Sequence, residues 1–254
     1  MIEKKSSFRV IKDAKNSAKI NMATDDALIS SFENNDIPIL RVYHWTNSFT
    51  IGVSQDFSSY SFANEYEGDY AKRVTGGGVL FHGHDLSYSL VIPTALLKSY
   101  NIKQSYEKIC YFLIDFYKKL GLKTNYAKDD ESVMLSKNEF CQVGFEAYDI
   151  LVNGQKIGGN AQRRTKKVIF QHGSIPICTV KKGNTNGDKS NSIDNRYGIS
   201  LEDLDIDLTY EKAKELLIDS FEKSFNVELI PSQLTQKEKD KKEELLKDKY
   251  DYAK

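Results

Sequence analysis

The chain has 254 residues, enough for one large domain or for a domain with a small appendage, and roughly three quarters of its unfolded surface can be buried without covalent staples. Thirty-six basic residues balance thirty-six acidic ones, so no global field speaks for a nucleic-acid partner. Cys110, Cys141 and Cys178 are an odd count with no CxxC spacing, which argues against a disulfide framework and against a cysteine metal site. The charged start, Met1 to Lys5, leads into no apolar stretch. Nowhere do about eighteen apolar residues run together, so neither a signal peptide nor a membrane span is expected. The expectation is a soluble, cytoplasmic, globular protein.

In chain order, residues 17 to 33 read as a first helix, with Ala23, Ala27, Leu28 and Phe32 on one stripe. Ile39 to Tyr43 and Thr50 to Val53 are strand-like runs. Leu86, Tyr88, Leu90 and Ile92 alternate with two serines in a further strand that Pro93 stops. Residues 105 to 120 give the clearest helix. Ile109, Phe112, Leu113, Phe116, Tyr117 and Leu120 follow helical spacing, and Gly121 stands at the C-cap. Cys110 lies on this helix and reads as packing.

Tyr148 to Val152 and Gln155 to Ile157 flank Asn153-Gly154, the pair that specifies a two-residue type I′ hairpin. Lys156 therefore falls on the return strand. Val168 to His172 is another strand, ending at Gly173. Residues 180 to 198 carry almost nothing apolar and read as a long mobile loop. Residues 210 to 225 form an amphipathic helix with Ala213, Leu216, Leu217, Phe221 and Phe225 inward. Thr235 and Glu238 make a capping box for a last, highly charged helix through about Tyr250, whose charges read as a solvated face. This order of hairpins and helices, without regular βαβ alternation, predicts an α+β fold: a mixed, largely antiparallel sheet with packed helices. A catalytic domain is expected over residues 1–230, with 231–254 a helical tail packed on it.

Two glycine stretches carry the functional signal. Between Lys72 and Leu86 lie four of the fifteen glycines and two of the four histidines. The run Gly76-Gly77-Gly78 leaves bare backbone that can lie against a flat or anionic ligand. No Walker loop fits, because Val79 and Leu80 follow Gly78, and Phe81 stands where a dinucleotide fingerprint needs its last glycine. His82 and His84 would point apart on an extended strand, and no ligand-spaced Cys or His accompanies them, so no metal is expected. The second stretch, Asn153 to Arg164, repeats the glycine-plus-base chemistry around Lys156.

At Arg73-Val74-Thr75-Gly76-Gly77-Gly78-Val79-Leu80-Phe81-His82 and at Gly154-Gln155-Lys156-Ile157-Gly158-Gly159-Asn160-Ala161-Gln162-Arg163-Arg164, followed by Gln171-His172-Gly173, the chain resembles the lipoate ligase and octanoyltransferase family. Met22 to Leu28 and Arg41 to Trp45 are weaker echoes. The resemblance implies a biotin/lipoate ligase-type catalytic domain whose glycine loop shapes an acyl site. It implies substrate-binding roles for Arg73, Thr75, Gly76, Gly77, Gly78, His82, Gly158, Gly159, His172 and Gly173, and places Lys156 at the reacting carbonyl. Gly159-Asn160 departs from the family's more usual Gly-Ser and bears on contacts near that carbonyl.

Two chemistries occur in the family. Ligases activate lipoate with ATP and Mg²⁺ as an acyl-adenylate. Octanoyltransferases take octanoyl from acyl carrier protein without such a cofactor, and one branch does so through a cysteine. Cys141, eight residues before Asp149, stands at that branch's nucleophile spacing, although Gln142 replaces the usual Phe. A thiolate attacking a thioester splits one transfer into two easier steps, and a nearby cation such as Lys156 would lower the thiol's pKa. Only about 50 residues follow the polar loop, little room for the accessory domain of many ligases. The reading is therefore an octanoyltransferase with catalytic Cys141 and Lys156. Val79, Leu80 and Phe81 are the nearest apolar candidates for the acyl slot. Its partners would be acyl carrier protein and a lipoyl-carrier protein, either a lipoyl domain or a glycine-cleavage H protein. An ATP-dependent ligase is the alternative, and a non-catalytic carrier-binding protein a third reading. Arg163, Arg164, Lys166 and Lys167 form a local basic cluster that could steer an acidic carrier.

Overall fold

The computed structural model describes residues 6–60, 66–133, 135, 146–179 and 198–251. Residues 180–197 of the expected polar loop and Cys141 lie outside these residues. Six strands form the main sheet: β1 (Ser6–Asn16), β2 (Ile39–Trp45), β6 (Asp85–Pro93), β10 (Gly159–Arg164), β11 (Val168–Pro176) and β12 (Val227–Pro231), in the order β10-β11-β6-β2-β1-β12. The pairs from β10 to β2 are antiparallel, whereas β1 runs parallel to both β2 and β12. One small sheet holds β3 (Ser48–Ile51), β4 (Asp69–Lys72) and β5 (Leu80–His82). Another holds β7 (Thr124–Tyr126), β8 (Ile150–Val152) and β9 (Gln155–Lys156). The mixed, antiparallel-rich α+β architecture is the one expected.

Helices cover both faces of the main sheet. α2 (Ile102–Lys119) and α3 (Tyr210–Phe225) pack on one face, where Phe112 and Phe221 meet Phe8, Tyr88 and Leu90 in the largest apolar cluster. α1 (Ala18–Ser31) covers the other face, with Leu28 and Phe32 against Ile11, Ile39 and Val91. Because β6 is sandwiched, both of its faces are buried. Leu86, Tyr88, Leu90 and Ile92 enter the α2/α3 core, while Ser87 and Ser89 on the α1 side enter hydrogen bonds.

Local chemistry explains most of the boundaries. α2 begins three residues earlier than its apolar spacing predicts, because Asn101 and Gln104 form a reciprocal capping box. Gly121 follows it at φ +79°, the left-handed conformation a helix end favours. α3 has the predicted bounds and closes on Asn226 at φ 50°. β11 runs past Gly173 to Pro176 because Ser174 pairs with both Gly159 and Ser87. α4 (Gln236–Asp248) has the predicted capping box, but its surroundings are less solvated than its charges suggest. Glu238 is buried and holds Arg9 at 2.7 Å, and fully buried Tyr250 packs with Met22 and Trp45 against α1.

Candidate active site

The Asn153-Gly154 turn has both central residues at positive φ, 51° and 75°, as a type I′ hairpin requires. It sets Lys156 across from Leu151. Asp149, two residues before Leu151, shares that face, and its Oδ2 meets the Lys156 ammonium at 2.7 Å with both side chains 7% exposed. Burial pushes the Asp149 carboxyl up, against the opposing pull of Lys156 and of the Glu146 amide. A buried lysine–carboxylate pair thus stands at the wall of a cavity of about 720 Å³.

The two glycine signatures meet across this cavity. Arg73, Gly76, Gly77, Gly78 and His82 line one side, and Lys156, Gly159, His172 and Gly173 line the other. The glycine loop is held from behind. Arg73 donates to the Thr50 hydroxyl at 2.8 Å and to Gly78 O at 2.6 Å. Gly77 sits at φ +107°, and Gly52 presses on it so closely that a Cβ at position 52 would lie 2.1 Å from Gly77 O. Thr75 does not line the cavity: it is buried behind the loop, its hydroxyl 2.7 Å from His172 Nε2. Burial holds the His172 pKa down, so the ring is a neutral partner there. Gly158 takes φ +70°, and a Cβ on it would stand 2.0 Å from Ser174 O. The chain can turn out of the hairpin and into the sheet there only with a glycine.

His82 is fixed on three sides. Its Nδ1–H donates to Asp85 at 2.9 Å, its Nε2 faces the Thr50 hydroxyl at 2.9 Å, and Trp45 stacks on it with 3.8 Å between ring centres. Asp85 also accepts from Ser174 at 2.7 Å. Burial alone would raise its pKa, but His82 and these donors hold it far below the carboxylate range. Beneath lies a second buried carboxylate. Asp25 accepts from Arg41 at 2.8 Å, Tyr43 at 2.9 Å and Ser89 at 2.7 Å, and its Oδ2 stands 3.8 Å from His172 Nδ1.

Several sequence expectations need amendment. Of the three apolar candidates for a slot, only Leu80 lines the cavity. Val79 and Phe81 alternate away from it and pack with Phe49 and Ile51 in the core of the small sheet. Cys110 is packed as expected, its thiol pushed up to about 12 by burial, and it also accepts a hydrogen bond from Gln171 at 3.3 Å. Asp149 has no role in the signatures, although a carboxylate diagonal to a lysine across a predicted two-residue hairpin is a readable signal. Tyr43 and Trp45, from the weaker echo, and Gln162, from the second signature, also line the cavity, as does Tyr106, which belongs to no motif.

A family model described as the lipoyl protein ligase A/B catalytic domain matches residues 17–222. The chain belongs to this family. Among its relatives, the octanoyltransferase LipM of Bacillus cereus is 30% identical over 258 residues, covering 92% of each chain. The octanoyltransferase LipM of Kyrpidia tusciae is 28% identical over 97% of this chain and 99% of its own. Among solved structures, a lipoate-protein ligase A bound with ATP superposes with a TM-score of 0.75 at 23% identity over 96% of both chains. A bi-partite lipoate protein ligase from Thermoplasma acidophilum gives 0.73 at 21% identity over 96% of this chain and 93% of that one. These likenesses bear out the family resemblance and the lipoate ligase-type fold. Among the described residues, no helix is long and apolar enough to cross a membrane.

Proposed function

We propose that this chain is an octanoyltransferase of protein lipoylation, moving octanoyl from acyl carrier protein to a lysine of a lipoyl-carrier protein. The observation that carries this reading is end-to-end similarity to octanoyltransferases in a chain whose two signatures converge on one cavity around the buried Lys156 ammonium.

In this reading the Cys141 thiolate attacks the thioester carbonyl. A new C–S bond forms to Cys141, the bond to the carrier's sulfur breaks, and the departing thiolate takes up a proton. The amine of the target lysine then attacks the acyl-enzyme. It forms the amide, loses a proton and releases the Cys141 thiolate. Lys156 faces the oxygen that becomes negative in both steps. The part given to Cys141 rests on the sequence resemblance. Intact mass spectrometry after mixing with octanoyl carrier protein should show one octanoyl adduct, absent from Cys141→Ser together with transfer. Full transfer by that variant would sink the covalent route.

Ligase neighbours, one of them bound with ATP, keep an ATP- and Mg²⁺-dependent lipoate–protein ligase as the second reading. A side-by-side assay separates the two. Octanoyl transfer without nucleotide favours the first, and pyrophosphate release with lipoate and ATP favours the second.

The carrier-docking reading is tested by charge. Arg163, Lys166 and Lys167 are exposed where β10 turns into β11. Arg164 reaches the cavity wall, where its guanidinium donates to Ser105 at 3.2 Å. In a chain of zero net charge this cluster supplies a local positive field to an acidic carrier. Reversing Arg163 and Lys166 to glutamate should lower kcat/KM by about tenfold with kcat retained. Added salt should weaken the wild type in the same way as the Debye length shrinks to about 8 Å. Indifference to both changes would place docking elsewhere.

A further inference from the structure

Asn160, the one departure within the second signature, ends a directional hydrogen-bond chain inside the cavity. Sheet register puts Tyr88 on β6, Gly173 on β11 and Asn160 on β10 side by side. Gly173 leaves the gap between them: a Cβ there would lie 2.1 Å from Asn160 Oδ1 and 2.6 Å from the Tyr88 ring. Through that gap Tyr88 O–H donates to Asn160 Oδ1 at 2.9 Å. The direction of the bond follows from its neighbours. Gln162 Nε2 donates to Gln171 Oε1 at 3.0 Å, and Gln171 Nε2 donates to the Tyr88 oxygen at 2.9 Å. Tyr88 therefore spends its single proton on Asn160. Burial holds the Tyr88 pKa well above its ordinary value, so that proton stays in place. Tyr106 O–H fixes the Asn160 main chain, donating to its carbonyl at 2.9 Å. With its side-chain oxygen engaged, Asn160 is left with an amide N–H₂ as its remaining polar group in the cavity that Lys156 also lines.

We infer that the Asn160 amide donates a hydrogen bond to the carbonyl oxygen of the acyl group during transfer, as a second donor beside Lys156, with Tyr88 the positioning residue that aims it. The inference rests on the octanoyl-transfer reading. A neutral donor held by a relay of buried side chains needs no reorientation as charge grows on that oxygen, which is the property an oxyanion donor requires. A serine at this position has a shorter reach and a hydroxyl free to rotate.

The test is steady-state octanoyl transfer by Asn160→Ala, Asn160→Ser, Asn160→Asp and Tyr88→Phe, with thermal melting as the check on folding. Asn160→Ala should lose on the order of 10² in kcat, with KM for the octanoyl carrier unchanged. Asn160→Asp keeps the size and the acceptor for Tyr88 but replaces the donor with a carboxylate, and should lose more. Tyr88→Phe should lose about tenfold alone and nothing further in the Asn160→Ala background, because both act through one amide. Asn160→Asp decides the matter if the alanine variant melts early. Wild-type kcat in Asn160→Ala or Asn160→Asp, or additive losses in the double variant, overturns the assignment. A wild type that moves no octanoyl but consumes lipoate with ATP overturns the functional reading alone. The same series read on lipoyl transfer then upholds or overturns the role of Asn160 by the same losses.

Discussion

Lys156→Ala is expected to fold and to lose on the order of 10²–10³ in transfer rate, the usual cost of removing one preorganised donor to an oxyanion. The structure explains why such a loss need not come from unfolding. Lys156 and Asp149 form a buried pair at 2.7 Å, and removing one member of such a pair normally strands the other. Asp149 has an escape, because burial already pushes its pKa up. Without the ammonium it rises further and takes a proton, so a neutral carboxyl remains in the wall. The sign follows: a raised carboxylate pKa makes the ionised form the costly one, so the variant should be relatively more stable at pH 5 than at pH 8. Circular dichroism and melting curves at both values check the fold, and octanoyl transfer checks the chemistry. Wild-type turnover in a folded Lys156→Ala removes the lysine from the mechanism. Equal losses of activity and secondary structure would make it a purely structural residue.

What the sequence made legible was backbone-driven. Asn153-Gly154 specified its hairpin because few other pairs accept two positive φ values, and that alone placed Lys156. The glycine loop was legible because three bare residues have little structural use unless something approaches them closely. Helices α2 and α3 were legible from their apolar spacing and caps. β10 was not: Asn160, Gln162, Arg163 and Arg164 carry no strand signal, and what makes this segment a strand is pairing with β11, a contact no local pattern announces. Val79 and Phe81 misled for a related reason. Apolar character says that a side chain is buried, and it took the pairing of β5 with β3 to settle that they face the small sheet and not the cavity. The buried polar layer was invisible too. Asp25 and Arg41 come from elements distant in sequence, and α1, which carries Asp25, buries Asn21, Thr24 and Asp25 alongside its apolar residues. Its helical stripe is blurred by the interactions that tie it to the site.

That layer supports the second large effect. Asp25→Ala is expected to cost about 3–5 kcal/mol, the range for breaking a buried ion pair from one side, and to lower the melting temperature by roughly 10 °C. The reason is the company Asp25 keeps. Arg41 is fully buried, and Asp25 is its only fully buried carboxylate partner among the described residues, the other, Asp13, being 22% exposed. The Tyr43 and Ser89 hydroxyls also donate to Asp25, so truncation leaves three donors short of an acceptor in a dry interior. The loss should reach the active site as well. Tyr43 and His172 line the cavity, and His172 holds Thr75 at the foot of the glycine loop. Burial opposes ionisation of Asp25, but Arg41 and the surrounding donors win, and its pKa is lowered. A depressed carboxylate contributes stability above its unfolded pKa and loses it as pH falls through the folded one. The gap between wild type and Asp25→Ala should therefore stay constant from neutral pH down to about 4 and narrow below that. Replacing both partners, Arg41→Met with Asp25→Leu, should cost less than Asp25→Leu alone, because the stranded guanidinium goes with its carboxylate. Denaturant titrations of the four species at pH 7 measure that coupling. A double variant showing the full sum of the single losses, or an Asp25→Ala within about 1 kcal/mol of wild type, would show that this carboxylate does not anchor the sheet beneath the site.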